Sequence, residues 1–152
     1  MKTFHIPVPY SSILDAIQHK IDFKTKPLGA LGQLEKLALR ISLIQQTLNP
    51  SLQKPHLVVF AGDHGIAEEG VSIAPSSVTQ QMVLNFLAGG AAINCFCRTN
   101  HIPLKVIDAG IKDEIKPAPS ALIIQRIAAG TRNFAHEPAM TLAQAERALT
   151  LG

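Results

Sequence analysis

The chain alternates between stretches with a helical apolar period and short runs that are apolar throughout. Leu31, Leu34, Leu37, Ala38, Ile41, Ile44 and Leu48 recur every three or four residues. That spacing predicts an amphipathic helix, stopped by Asn49-Pro50. A shorter helix is predicted from a cap at Ser11 or Ser12 to about His19, with Ile13, Leu14 and Ile17 on one side. Leu57-Val58-Val59-Phe60-Ala61 is continuous, partly β-branched and closed by Gly62, which predicts a strand covered on both faces. Gly62–Pro75 reads as a long loop. Helices follow from Ser76 to Ala88 and from Ala91 to Arg98, interrupted by Gly89-Gly90. Pro103–Asp108 and Ala121–Ile127 predict second and third strands. Thr141-x-x-Gln144 is a capping-box pattern, opening a helix that still runs at Gly152.

Strands separated by helices imply βαβ units, hence an α/β, Rossmann-like parallel sheet flanked by helices. The helices before residue 50 precede the first strand and read as part of a smaller helical region. Residues 1–25, with Pro7 and Pro9, are expected to form an extended segment and a short helix. Residues 26–152 are expected to form the first part of the α/β domain.

Composition narrows the class. The 152 residues are 47% apolar and 16% charged, too apolar for a disordered tail and enough for a real core. A net charge of +3 is scattered, without a basic block and without Trp, so no nucleic-acid surface is expected. The longest apolar run, Leu57–Ala61, falls far short of the roughly 20 residues of a membrane helix. The first seven residues hold no apolar signal core, and a cytoplasmic protein is expected. Cys95 and Cys97 are too few for a disulfide scaffold. On a helix they point about 200° apart and are expected to be buried thiols.

In parallel α/β sheets, ligands sit beyond the carboxyl ends of the strands. Two such ends are polar: Gly62-Asp63-His64-Gly65 and Asp108-Ala109-Gly110. An Asp beside a His can orient a proton-carrying ring or hold a ligand nitrogen. The same tetrapeptide also reads as a tight turn whose Asp bonds the loop backbone, and both readings stand. Asp63, His64, Glu68 and Glu69 include potential metal ligands, although only one is a His. A metal-dependent hydrolase using Asp63, His64 and Asp108 is therefore an alternative. Gly62-x-x-Gly65 and Gly89-Gly90 fit neither a dinucleotide fingerprint nor a P-loop, so no cofactor is expected. Glu35/Lys36 and Lys112–Glu114 read as solvated charge.

Taken together, several blocks resemble the nicotinate-nucleotide–dimethylbenzimidazole phosphoribosyltransferase family of cobalamin biosynthesis. They are Lys26-Pro27-Leu28-Gly29-Ala30-Leu31-Gly32-Gln33-Leu34-Glu35-Lys36-Leu37-Ala38 and Phe60-Ala61-Gly62-Asp63-His64-Gly65-Ile66-Ala67-Glu68-Glu69-Gly70-Val71-Ser72. Then come Pro75-x-x-Val78-Thr79-x-Gln81-Met82-x-x-Asn85-Phe86, Gly89-Gly90-Ala91-Ala92-Ile93-Asn94, Asp108-Ala109-Gly110-Ile111, and Gly130-Thr131-x-Asn133-Phe134 with Pro138-Ala139-Met140. Each is short, but their order and spacing cover nearly the whole chain.

The resemblance implies transfer of phosphoribose from nicotinate mononucleotide to a nitrogen of 5,6-dimethylbenzimidazole, giving α-ribazole 5'-phosphate and nicotinate. An oxocarbenium-like anomeric carbon is expected on the way. The base needs a flat apolar slot and an acceptor for its N–H proton. The resemblance points to Asp63, His64, Ala74, Pro75, Thr79, Met82 and Asn85 for that slot, with Gln81 adjacent. Some members carry a hydroxyl residue at the Ala74 position and a glutamine at the Met82 position. Here the slot keeps its apolar character and loses polar contacts. The resemblance also implies small-molecule substrates, a homodimer and no metal. The family's catalytic glutamate matches none of Glu68, Glu69 and Glu137. Glu137 stands where the family usually has a glycine. On this reading the chain is the front part of a longer enzyme and is inactive alone. A base-binding module without chemistry is a second alternative.

Overall fold

The computed structural model describes residues 3–151. They form two compact units, residues 3–53 and residues 54–151.

The first unit is built on two helices, α1 (Leu14–Asp22) and α2 (Gln33–Gln45). α1 begins later than Ser11 or Ser12, and neither serine caps it. Its first turn is instead closed by Leu14 N–H donating to the Ser11 carbonyl at 3.0 Å. α2 ends before Asn49-Pro50 because Gln46 turns left-handed at φ 49°. Its N–H then closes on the Leu43 carbonyl. Ile17 and Ser42 are buried within this unit, whereas Leu34 and Ile44 on the apolar stripe of α2 remain exposed. Glu35 pairs with Lys26 at 2.9 Å rather than standing as solvated charge beside Lys36. Its other bond is from the Leu31 N–H, at 3.0 Å.

The second unit is the α/β part. Its strands are β1 (Leu57–Gly62), β2 (Leu104–Gly110) and β3 (Leu122–Ile124), parallel and ordered β1-β2-β3. Between β1 and β2 run a short 3-10 turn (Gly65–Glu69), α3 (Ser77–Ala88) and α4 (Ala92–Thr99); α5 (Leu142–Leu151) follows β3. α5 has the expected capping box. Gln144 N–H donates to Thr141 Oγ1 at 3.2 Å, and Thr141 N–H donates back to Gln144 Oε1 at 2.8 Å. Its expected continuation at Gly152 lies outside the described residues. β3 is shorter than the predicted Ala121–Ile127. Beyond it the backbone still follows β2, through Gln125 N–H to Asp108 and Ile127 N–H to Ala109.

One sheet face carries the core. Ala61, Val106 and Leu122 pack there with Val83 of α3 and with Ile111 and Ile115. Burial on the scale of Val83 or Ile111 stabilises by about 1.5–3 kcal/mol per side chain. The expectation that β1 is covered on both faces is corrected. Val58 and Phe60 alternate with the core positions and are 40% and 56% exposed. α3 and α4 are joined by Asn94, whose amide accepts from Ala91 N–H and donates to the Phe86 carbonyl. Cys97 is buried as expected, but Cys95 is exposed on the outer side of α4, with Arg98 donating to its sulfur.

Candidate functional site

The site begins where β1 and β2 end. The pairing slips by one residue there, so that Gly62 stands opposite Gly110 instead of Ala109. This aims Asp63 inward, where it is 7% exposed. Its main chain is held on two sides. Asp63 N–H donates to Gly110 at 3.0 Å, and Thr131 N–H donates to the Asp63 carbonyl at 2.9 Å.

The Asp63 carboxylate is filled by protein donors. Oδ1 accepts from the Thr79 hydroxyl at 2.6 Å, and Oδ2 accepts from Lys112 N–H at 2.6 Å. Asp108, buried to 1% exposure, does the same at the end of β2. Its Oδ1 accepts from the Gly110 and Ile111 N–H groups, each at 2.9 Å, and its Oδ2 faces Arg126 at 3.4 Å. Three consecutive amides, Gly110, Ile111 and Lys112, thus turn toward two carboxylates. Charge-assisted bonds of this kind offset the desolvation of both acids.

The Asp63 carboxylate does not bond its own loop backbone, as the turn reading of Gly62-Asp63-His64-Gly65 has it; its partners stand 16 and 49 residues away. His64 differs. It is exposed, and its backbone bridges to Thr131. Gly65 is required by that bridge, because a Cβ there would meet Asn133 N at 2.5 Å and Arg132 C at 2.6 Å. Further out, Glu69 Oε1 bonds Asn133 Nδ2 at 2.6 Å and His136 Nε2 at 2.9 Å. The loop after β1 and the loop after β3 are therefore laced together.

Beside β1 lies a cavity of about 440 Å³. Asp63, His64, Ala74, Pro75, Thr79 and Met82 all line it, with an apolar wall from Val59, Phe60, Val71, Val78 and Phe86. Gln81 and Asn85 do not. Gln81 is exposed on α3, and the Asn85 amide lies over Gly90, where a Cβ would collide with it. A second cavity of about 240 Å³ shares Asp63 and His64, and is closed by Gly110, Gly130, Arg132, Met140 and Gln144. Neither lining includes a glutamate.

Among the described residues, no three His, Cys, Asp or Glu side chains converge as a metal site. Sequence reasoning missed Lys112, which was read as solvated although its N–H fixes Asp63. It also missed Arg126, which reaches Asp108 and donates to the Lys112 carbonyl at 3.0 Å. A signal for Arg126 existed, since it is the one charge inside the apolar run Ala121–Ile127. Lys112 acts through its backbone, which no side-chain motif records.

Comparison with known proteins agrees with the resemblance. A family model described as "Phosphoribosyltransferase" matches residues 6–152. A nicotinate-nucleotide–dimethylbenzimidazole phosphoribosyltransferase of Photobacterium profundum is 64% identical over 138 residues, covering 91% of this chain and 40% of the relative. One from Dechloromonas aromatica is 53% identical over 152 residues, covering 100% of this chain and 43% of the relative. The crystal structure of CobT from Thermus thermophilus superposes with a TM-score of 0.81 at 44% identity, over 91% of this chain and 41% of that one. The chain therefore belongs to the phosphoribosyltransferase family of these proteins, and spans about two fifths of the length of the relatives it matches.

Proposed function

We propose that this chain forms part of the acceptor-base pocket of a nicotinate-nucleotide–dimethylbenzimidazole phosphoribosyltransferase. In that reaction, a nitrogen of 5,6-dimethylbenzimidazole takes the phosphoribosyl group of nicotinate mononucleotide, giving α-ribazole 5'-phosphate and releasing nicotinate. The observation that carries the reading is the cavity beside β1. Its apolar wall and its size suit a flat bicyclic ring, and six residues named by the family resemblance stand around it. His64, exposed and among the lining residues, supports the reading as a group able to meet a ring nitrogen.

The family reading also brings a homodimer working in the cytoplasm on these small molecules. It assigns the proton of the incoming base to a glutamate, and neither cavity lining supplies one. Glu69, the glutamate nearest His64 in sequence after Glu68, is bonded to Asn133 and His136. The chain by itself is accordingly expected to bind the base without turning it over. A metal-dependent hydrolase on Asp63, His64 and Asp108 is not supported, since both carboxylates are filled by protein donors.

Calorimetric titration with 5,6-dimethylbenzimidazole tests the reading. Saturable binding that Met82→Glu weakens at least tenfold is the expected result. Incubation with both substrates should give no α-ribazole 5'-phosphate. Absence of binding at millimolar base would overturn the pocket assignment, and turnover at an ordinary enzymatic rate would overturn the assignment of proton removal to a group outside the pocket.

A further inference from the structure

One wall of the cavity beside β1 is made by the segment that follows the 3-10 turn. Val71, Ser72, Ala74 and Pro75 line the cavity, yet Val71 is 69% exposed and Ile73 wholly so. Among the described residues, the side-chain hydrogen bonds of 71–74 are internal. Ser72 Oγ donates to the Ala74 carbonyl at 3.0 Å and accepts from Ala74 N–H at 3.2 Å. At its far end the segment runs into α3, where Val78 N–H closes on the Pro75 carbonyl at 3.0 Å. At its near end the chain turns left-handed at Gly70, φ 72°, directly after Glu69. The place of this wall therefore depends on what holds Glu69.

Glu69 is held by the loop after β3. Its Oε1 accepts from Asn133 Nδ2 at 2.6 Å and meets His136 Nε2 at 2.9 Å. Asn133 has its own oxygens committed. Oδ1 accepts from Ala135 N–H at 3.0 Å, and the carbonyl accepts from the His136 and Glu137 N–H groups, each at 3.1 Å. Only the amide nitrogen is left to face the carboxylate. The neighbouring Glu68 is tied more loosely, to Lys112 at 3.5 Å with both side chains exposed. Exposed pairs contribute little to global stability. A bond that holds a pocket wall acts on binding geometry instead.

We propose that Glu69 is a positioning residue of the base pocket. Through Asn133 and His136 it pegs the wall formed by 71–75 and so sets the width of the slot. Glu69 does not itself line the cavity. The inference rests on the base-pocket reading and adds to it the group that holds one wall in place.

The test is calorimetric titration of the 152-residue chain with 5,6-dimethylbenzimidazole and with unsubstituted benzimidazole, beside thermal melts. Glu69→Ala should weaken binding of 5,6-dimethylbenzimidazole roughly fivefold or more. Benzimidazole should lose less, because a loosened wall gives up contact with the ring's methyl groups. Asn133→Asp keeps the bond to Ala135 but turns a carboxylate oxygen toward Glu69, and should act like Glu69→Ala. Combining Asn133→Asp with Glu69→Gln exchanges donor and acceptor, and should restore affinity to within about twofold of the parent. Glu137→Gln removes the 2.6 Å pair with Arg132 from the same loop without touching Glu69, and should leave affinity unchanged. All variants should melt close to the parent. Parent-like affinity in Glu69→Ala, equal weakening by Glu137→Gln, or no recovery in the combined variant overturns the proposal. Affinity losses that merely follow losses in melting temperature overturn it too, by placing Glu69 in general stability. A parent chain that binds neither base overturns the pocket reading, and the role of Glu69 with it. A parent chain that binds while Glu69→Ala binds equally well overturns the role of Glu69 alone.

Discussion

The Thr79 hydroxyl lies 2.6 Å from Asp63 Oδ1, joining the first turn of α3 to the loop that leaves β1. Both residues belong to the expected base slot, yet here they satisfy each other. Thr79→Val keeps the shape and removes the donor, leaving a nearly buried carboxylate oxygen without it. The expected cost is about 1–3 kcal/mol. In a unit of this size each kcal/mol corresponds to roughly 4–8 °C in melting temperature. Thr79→Ser keeps the hydroxyl and should stay close to the parent. Thermal melts of the pair check this. If the valine and serine variants melt alike, the hydroxyl contributes packing only.

Gly65→Ala tests the seam between the loops that follow β1 and β3. The atoms a methyl would meet are backbone atoms of Arg132 and Asn133, which cannot step aside by changing rotamer. The loops have to part, at an overpacking cost of about 1–3 kcal/mol. Amide exchange at Gly65 and Thr131, whose N–H groups bond across the seam, should accelerate while the Val83 region stays protected. Unchanged exchange at Gly65 would mean that the seam yields elsewhere.

Asp108 presents a different kind of dependence. Asp108→Ala leaves the Gly110 and Ile111 amides without their acceptor and Arg126 without its carboxylate, only the Lys112 carbonyl remaining to it. Breaking a buried charge pair from one side costs about 3–5 kcal/mol. Asp108→Asn retains an oxygen for the amides and should cost less than half as much. Urea unfolding of both variants measures the difference. A milder alanine variant would show that the loop finds other acceptors.

These residues mark what the sequence made legible. The parallel strands, the helices between them and the capping box at Thr141 were readable because each is a local pattern of period, β-branching or side-chain bond. The Asp63–His64 turn was readable as a strand end with functional promise. Its division of labour was not, because Thr79 and Lys112 reach Asp63 from 16 and 49 residues away. The open face of β1 was hidden for another reason. A wholly apolar run states that both faces avoid water, whether or not the cover lies within the same 152 residues. Gln81 and Asn85 were expected at the slot from their place in a motif, but helical rotation carries them off its wall.

The last expectation concerns pH. The Glu35 carboxylate accepts from Lys26 Nζ at 2.9 Å and from Leu31 N–H at 3.0 Å. The Lys26 bond first, and then the Leu31 bond, hold its carboxyl below the ordinary 4.5. A carboxyl depressed in the folded state stabilises fully above its unfolded value, and that stabilisation is lost as pH falls through the lower folded value. The first unit should therefore weaken below about pH 4.5, and Glu35→Gln should abolish that dependence. At pH 7 the variant should melt below the parent, with the gap closing as acid protonates Glu35 in the parent. Glutamine still accepts from Leu31, so the gap reports the charge on Lys26. Glu114→Gln is the control. Glu114 is also held low, by Lys116, but both side chains are largely exposed, and screening should leave its gap much smaller. Helical circular dichroism against temperature at pH 3, 4, 5 and 7 decides it. A Glu35→Gln deficit that persists unchanged at pH 3 would place the effect in packing rather than in the ion pair.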